Sequence, residues 1–165
     1  GFAPSACWTW QAVEGKARNA SALTHEESSY LVKQFRAEAT DRRLNLLFDG
    51  SGANSAVYEE LVTKLQAKGY RVTVMMAHVD PEVGLRRIAE RTEKHGRDVS
   101  REYALATYQK ATRNFERVAR VADEFALYDT SRNGPSSLLW SKTLAGGEQE
   151  HDPAAVSSFR ERASR

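Results

Sequence analysis

Arg71-Val-Thr-Val-Met-Met-Ala-His-Val-Asp-Pro81 is the stretch that decides the fold. Valine and methionine are frequent in it, so residues 71–79 read as a strand. It stops at Asp80-Pro81, a carboxylate suited to cap a helix followed by the residue best tolerated at a helix's first position. A helix therefore follows directly, running to about Lys94 and ending at Gly96.

Working outward, the same alternation extends in both directions. Val57, Leu61, Val62 and Leu65 share one face of a helix over 54–68, which Gly69 closes. Before it, Asn45-Leu-Leu-Phe-Asp49 is a short apolar run that meets Gly50-Ser-Gly52. This reads as a buried strand opening into a turn. From Thr24 to about Arg43 the residues Tyr30, Leu31, Phe35 and Ala39 recur at helical spacing, and Thr24 with Glu27 forms a capping box. Downstream, a helix begins near Ser100 and carries Tyr103, Ala104, Tyr108, Ala111, Phe115, Val118, Ala119 and Ala122 towards a core; Phe125 to Asp129 then makes a third strand. Helices between successive strands give an α/β fold, a parallel sheet with helical crossovers. Strands 45–49, 71–79 and 125–129 are expected to be parallel, with Asp49, Asp80 and Asp129 near one edge. Past Asn133-Gly-Pro135 the pattern weakens apart from Leu138-Leu-Trp140, and residues 143–165 read as a polar, flexible tail. Residues 1–21 have neither period and hold two of the three tryptophans.

Composition excludes several classes. The 165 residues, 41% of them hydrophobic, suffice for one domain with its own core. Charged residues make up 28% but nearly cancel to +2, which is not the dense basic stripe of a nucleic-acid binder. Cys7 is the only cysteine, so no internal disulfide forms. His25, His78, His95 and His151 never fall at a zinc-like spacing, and no metal cage is readable. The longest apolar run, Val72 to Val79, is too short to span a bilayer, and the first ten residues lack the positive start of a signal peptide. The chain thus reads as cytoplasmic, with no membrane and no nucleic-acid partner.

Three clusters could carry chemistry. Arg86, Arg87, Arg91 and Arg97 surround one helix and its end, with Arg87 and Arg91 four apart on one face. A guanidinium can grip two phosphate oxygens at once, which suits phosphoryl transfer. By spacing alone the commoner outcome is a solvated face interleaved with Glu82, Glu90 and Glu93. Asp49 and Ser51 follow a strand, where α/β sheets bind ligands, yet an Asp-Gly turn explains them equally well. Glu27 and Ser28, in His25-Glu26-Glu27-Ser28-Ser29, suit the first turn of a helix on dipole grounds alone. Asp129 is either a turn residue or a pocket residue.

Taken in order, Ala22-Leu-Thr-His-Glu-Glu-Ser-Ser29, Leu44-Asn-Leu-Leu-Phe-Asp-Gly-Ser51, Lys68-Gly-Tyr-Arg-Val72, Arg87-Ile-Ala-Glu-Arg91 with Gly96-Arg97-Asp-Val99, and Leu127-Tyr-Asp-Thr130 resemble the zeta-toxin family of P-loop small-molecule kinases. The resemblance covers about residues 20–132 and places a kinase domain over 22–142. It implies an ATP-dependent kinase that uses Mg2+, acts on a small-molecule hydroxyl such as that of a nucleotide sugar, and pairs with an antitoxin. It implies acceptor-binding roles for Glu27, Ser28, Asp49 and Ser51. It also implies nucleotide-binding roles for Arg87, Arg91 and Arg97, with Arg91 and Arg97 at the transferred phosphate. Ser100 stands where the family often has proline.

One part of the pattern is missing. A Walker A loop needs Gly, four residues, then Gly-Lys-Ser or Gly-Lys-Thr, so that successive backbone N–H groups wrap the phosphates. Here Gly15-Lys16 is followed by Ala17, and Trp10 stands five residues before Gly15. Three accounts follow: a fragment of a longer kinase, an unrelated N-terminal stretch, or a pseudokinase that serves as a non-catalytic binding module. In each, these residues alone are expected to be inactive.

Overall fold

A computed structural model describes residues 25–95 and 99–164. The chain divides into two compact units: one takes in the chain up to Asp49 together with Arg86–Ser100, the other Gly50–Leu85 with the chain from Arg101 onward.

In the first unit, α1 (His25–Asp41) forms where the 3.6-residue period predicts it. It ends by turning Arg43 into the left-handed region (φ 58°), so that Leu44 N–H donates to the Ala39 carbonyl at 3.0 Å. This is the Schellman closure, made with arginine where glycine is usual. Thr40 is buried and donates to the Arg36 carbonyl at 2.6 Å, while the Arg36 guanidinium lies 5.3 Å from the centre of the Phe48 ring. The strand expected over 45–49 does not form: residues 44–54 have no regular structure, and Leu47 is 91% exposed. An apolar run states only that burial is favourable; a strand also needs a ladder for its backbone, which such a run does not specify. The apolar residues Tyr30, Leu31 and Phe35 of α1 are likewise exposed.

The second unit holds the sheet. Here α2 (Ser55–Ala67) starts on Asn54, whose Oδ1 accepts from Val57 N–H, and stops where Gly69 takes a φ of 83°. Then come β1 (Thr73–His78), α3 (Pro81–His95, only its first turn in this unit), α4 (Arg101–Val121), β2 (Glu124–Asp129), β3 (Ser137–Thr143), β4 (Gly147–Glu150) and α5 (Pro153–Ser164). The sheet order is β1-β2-β3-β4. β1 and β2 run parallel, Thr73 beside Glu124 and His78 beside Asp129, as their helical connection requires. The β2–β3 and β3–β4 pairs are antiparallel, so the sheet is mixed, not wholly parallel as expected. Only residues 130–136 join β2 to β3, too few for a crossover, and so the chain must reverse.

Asp123 sets the start of the parallel register. Its Oδ2 accepts from Val72 N–H at 2.7 Å, and the Val72 carbonyl accepts from Asp123 and Glu124 N–H at 3.1 and 3.2 Å. The Val72 hydrogen bond is the main reason that its carboxyl is held below the ordinary range, with Gln66 adding to it.

One face of the sheet packs under α4 and α5. Phe115, Ala119, Phe125, Leu127, Trp140, Val156 and Phe159 form the main core, while Val62, Val118 and Ala122 form a smaller one beneath α2. Phe115 meets Phe125, Trp140 and Phe159 edge to face, with centroids 5.9–6.2 Å apart, the arrangement that ring quadrupoles favour. The tail expected over 143–165 is therefore corrected: β4 pairs with β3, and α5 drives Val156 and Phe159, 0% and 1% exposed, into the core. A domain ending at residue 142, as expected from sequence, would lose part of this core.

Candidate functional site

The carboxyl ends of β1 and β2, where open α/β sheets bind ligands, carry a dense polar cluster within the second unit. His78 is the last residue of β1 and is buried on the helix-covered face. Its Nδ1 lies 3.4 Å from the Tyr108 hydroxyl, and its ring stands edge-on to Phe159 at 5.1 Å. Burial holds the imidazole below its usual range; the charge of Arg162 acts in the same direction, and Asp129 and Asp80 oppose it. His78 is thus neutral at physiological pH. Thr130 closes the end of the ladder by giving both its N–H (2.8 Å) and its hydroxyl (2.9 Å) to the His78 carbonyl.

Asp129, the last residue of β2, accepts from Ser131 twice, from the N–H at 2.9 Å and from the hydroxyl. Burial pushes its carboxyl up, but these two hydrogen bonds, with the charge of Arg132, bring it below the ordinary value. It stands as an ionised acceptor. Ser131 Oγ in turn accepts from Asp80 N–H at 2.8 Å. Asp80 caps α3 as expected, its Oδ1 accepting from Glu82 N–H at 3.0 Å; its Oδ2 lies 3.8 Å from Arg162 of α5. The cluster can hold a charge and orient a donor. His78, Tyr108, Ser131 and Arg162 were not singled out from sequence, although a histidine ending an apolar strand and an Asp-x-Ser turn were both visible.

The residues expected from sequence are distributed as follows. Asp80 and Asp129 come together through Ser131, whereas Asp49 belongs to the first unit. Asp49 is exposed there, as are Glu27 and Ser28 in the first turn of α1. Ser51 is exposed in the second unit, its Oγ accepting from Ala53 N–H at 3.4 Å. The adjoining loop is held to α4 by Asn114 Nδ2, which donates to the Gly52 carbonyl at 3.2 Å; Gly52 sits at φ 69° with Ala111 close by. Arg86, Arg87 and Arg91 lie on α3, with Arg86 and Arg91 exposed and Arg87 half-buried. Glu82, in the first turn of the same helix, meets Arg101 of α4 at 3.2 Å. Arg97 lies outside the described residues.

A cavity of about 280 Å³ lies near the other end of β2, lined in part by Phe125, Trp140, Lys142 and Arg160. Its charges already satisfy one another. Arg160 bonds Glu116 (3.1 Å) and Glu150 (2.8 Å) while stacking on Trp140 at 4.5 Å, Trp140 Nε1 donates to Glu148 at 3.0 Å, and Lys142 donates to the Ala122 carbonyl at 2.7 Å. The geometry therefore favours the strand ends as the site. Among the described residues no helix is long and apolar enough to cross a membrane.

No curated protein and no solved structure matches the chain. The sequence model of one family, described as Zeta toxin, matches residues 10–143. That span includes every strand but β4, all the expected site residues, and Asp80, Asp129 and Ser131 at the strand ends. On this match the chain belongs to the Zeta toxin family, whose members are kinase-like, nucleotide-binding proteins of the P-loop class.

Proposed function

We propose that this chain is the lid and acceptor-binding part of an ATP-dependent kinase that phosphorylates the hydroxyl of a small molecule, with a nucleotide sugar as the first candidate. The family match over residues 10–143 carries the reading. In it Arg91 and Arg97 hold the transferred phosphate and Arg87 assists, each guanidinium offering the two-oxygen fork that suits charge spread over phosphate oxygens. Glu27, Ser28, Asp49 and Ser51 bind the acceptor. An antitoxin protein is the expected partner.

These residues do not by themselves fit magnesium or a triphosphate. Among the described residues no three His, Cys, Asp or Glu side chains come together as ligands. The sequence has no Gly-x-x-x-x-Gly-Lys-Ser/Thr, so the backbone cradle for the phosphates has to come from elsewhere in the full protein. The same observation favours a second reading, a pseudokinase that binds without turnover.

Two measurements separate these readings. The 165-residue chain titrated calorimetrically with ATP and magnesium should bind weakly or not at all; a micromolar Kd, about −8 kcal/mol, would overturn the placing of the phosphate site outside it. In a full-length protein that carries the loop, Arg97→Ala should lower turnover by about 10³-fold, Arg97→Lys should also impair it, and Arg86→Ala should be nearly silent. Full activity of Arg97→Ala would return the arginines to a solvated helix face, and a full-length protein that never transfers phosphate would establish the second reading.

A further inference from the structure

Ser131 joins the ends of two elements at one atom. Its hydroxyl donates to Asp129 at the end of β2 and accepts from Asp80 N–H, immediately before α3. Asp80 holds the first turn of α3 from both sides, through its carboxylate on Glu82 N–H (3.0 Å) and its carbonyl on Gly84 N–H (2.8 Å). Its second carboxylate oxygen faces Arg162 of α5. α3 is the helix on whose later turns Arg87 and Arg91 sit.

We propose that Ser131 is a positioning residue that transmits the state of the Asp129 carboxylate to the N-terminus of α3. The reason is the bonding capacity of a hydroxyl, which has one proton and two lone pairs. While Asp129 is ionised it takes that proton, and the Ser131 lone pairs are left facing Asp80 N–H. When a cation or a donor group on a bound ligand claims the carboxylate, the proton is released to turn elsewhere and the acceptor for Asp80 N–H is weakened. Ligand chemistry at the end of β2 is thereby felt at the root of the arginine-bearing helix. Thr130, tied twice to the His78 carbonyl, keeps the loop from following, so the change is confined to Ser131 and Asp80. That the arginines of α3 bind phosphate rests on the function proposed above; the link from Asp129 to α3 does not.

The test uses amide hydrogen exchange of the 165-residue chain, followed residue by residue by NMR. Ser131→Ala should speed exchange at Asp80, Glu82 and Gly84 by about tenfold, the scale of one lost hydrogen bond, and leave Leu127 in the core unchanged. Ser131→Thr, which keeps the hydroxyl, should restore wild-type rates. Asp129→Asn should also alter exchange at Asp80 and Glu82, but not when introduced in the Ser131→Ala background, because the route then no longer exists. In a full-length protein that transfers phosphate, Ser131→Ala should lower kcat about tenfold at unchanged acceptor KM. Wild-type exchange at Asp80 and Glu82 in Ser131→Ala, or additive effects of the two substitutions, would overturn the proposal; an unchanged kcat with altered exchange would instead overturn the phosphate-binding role of the α3 arginines. Absence of phosphate transfer by the wild type would count against the kinase reading alone, since the exchange measurements decide the coupling without it.

Discussion

Phe159→Ala tests whether the C-terminal helix is part of the folded body. The ring is 1% exposed and packs edge to face on Phe115 and His78. Burying an aromatic side chain removes about 150–250 Å² from water, which at about 25 cal/mol per Å² is worth roughly 4–6 kcal/mol. That figure is an upper bound because unfolded chains are already partly compact. Measured truncations of this kind cost about 3–5 kcal/mol, and about 3–4 kcal/mol is expected here. Set against a typical total of about 5–15 kcal/mol, the variant should lose a large share of its stability. Urea unfolding followed by circular dichroism gives the number, with the exposed Glu161→Ala as a control that should stay within about 0.5 kcal/mol of wild type. A loss below about 1 kcal/mol for Phe159→Ala would refute the reasoning and return residues 153–164 to the status of a detachable tail.

Two further expectations concern the polar groups. Because burial depresses His78 in the folded chain, the unfolded chain takes up its proton first as the pH drops below about 6.5. Stability should therefore fall between pH 7 and 5 in thermal unfolding, and His78→Gln should flatten that slope; a wild-type protein that gains stability on acidification over this range would contradict the assignment. Asp123→Ala removes the carboxylate that accepts from Val72 N–H and should cost about 1 kcal/mol at neutral pH by denaturant titration. Because the Asp123 carboxyl is held below its ordinary value, that contribution should vanish as the pH falls below about 3.8, and equal stability of variant and wild type at pH 7 would reject the register-pinning role.

The helices and the parallel strands were legible in the sequence because each carried a strong period and a chemical stop. The spacing predicts a helix over 54–68 and the structure has one at Ser55–Ala67, closed by Gly69 as read and capped by Asn54. Strands expected at 71–79 and 125–129 occur at Thr73–His78 and Glu124–Asp129. Residues 45–49 misled because an apolar run registers a wish for burial, whereas pairing depends on which other strands lie alongside. The C-terminal region was missed for the opposite reason. β4 is Gly-Glu-Gln-Glu, a strand held by its backbone against β3, and α5 buries little beyond Val156 and Phe159 among alanines and serines. At the site, Asp80 was legible as a cap because capping is local. The joining of Asp129 to Asp80 was not, since it runs through Ser131, which lies 51 residues from Asp80 in the chain.

The mixed direction of the sheet has a consequence for how the chain assembles. β2, β3 and β4 are neighbours in sequence and can zip together through short turns, a microsecond-scale event for a hairpin. β1 has to find β2 across the 51 positions that separate Thr73 from Glu124, and non-local parallel pairing of this kind is slow. During synthesis, at about 5–20 residues per second, β1 leaves the ribosome roughly 3–10 s before its partner exists. For that interval Val74, Met75 and Met76 lack the ladder that β2 gives them, so the nascent chain passes through a window in which β1 is open to pairing with other chains.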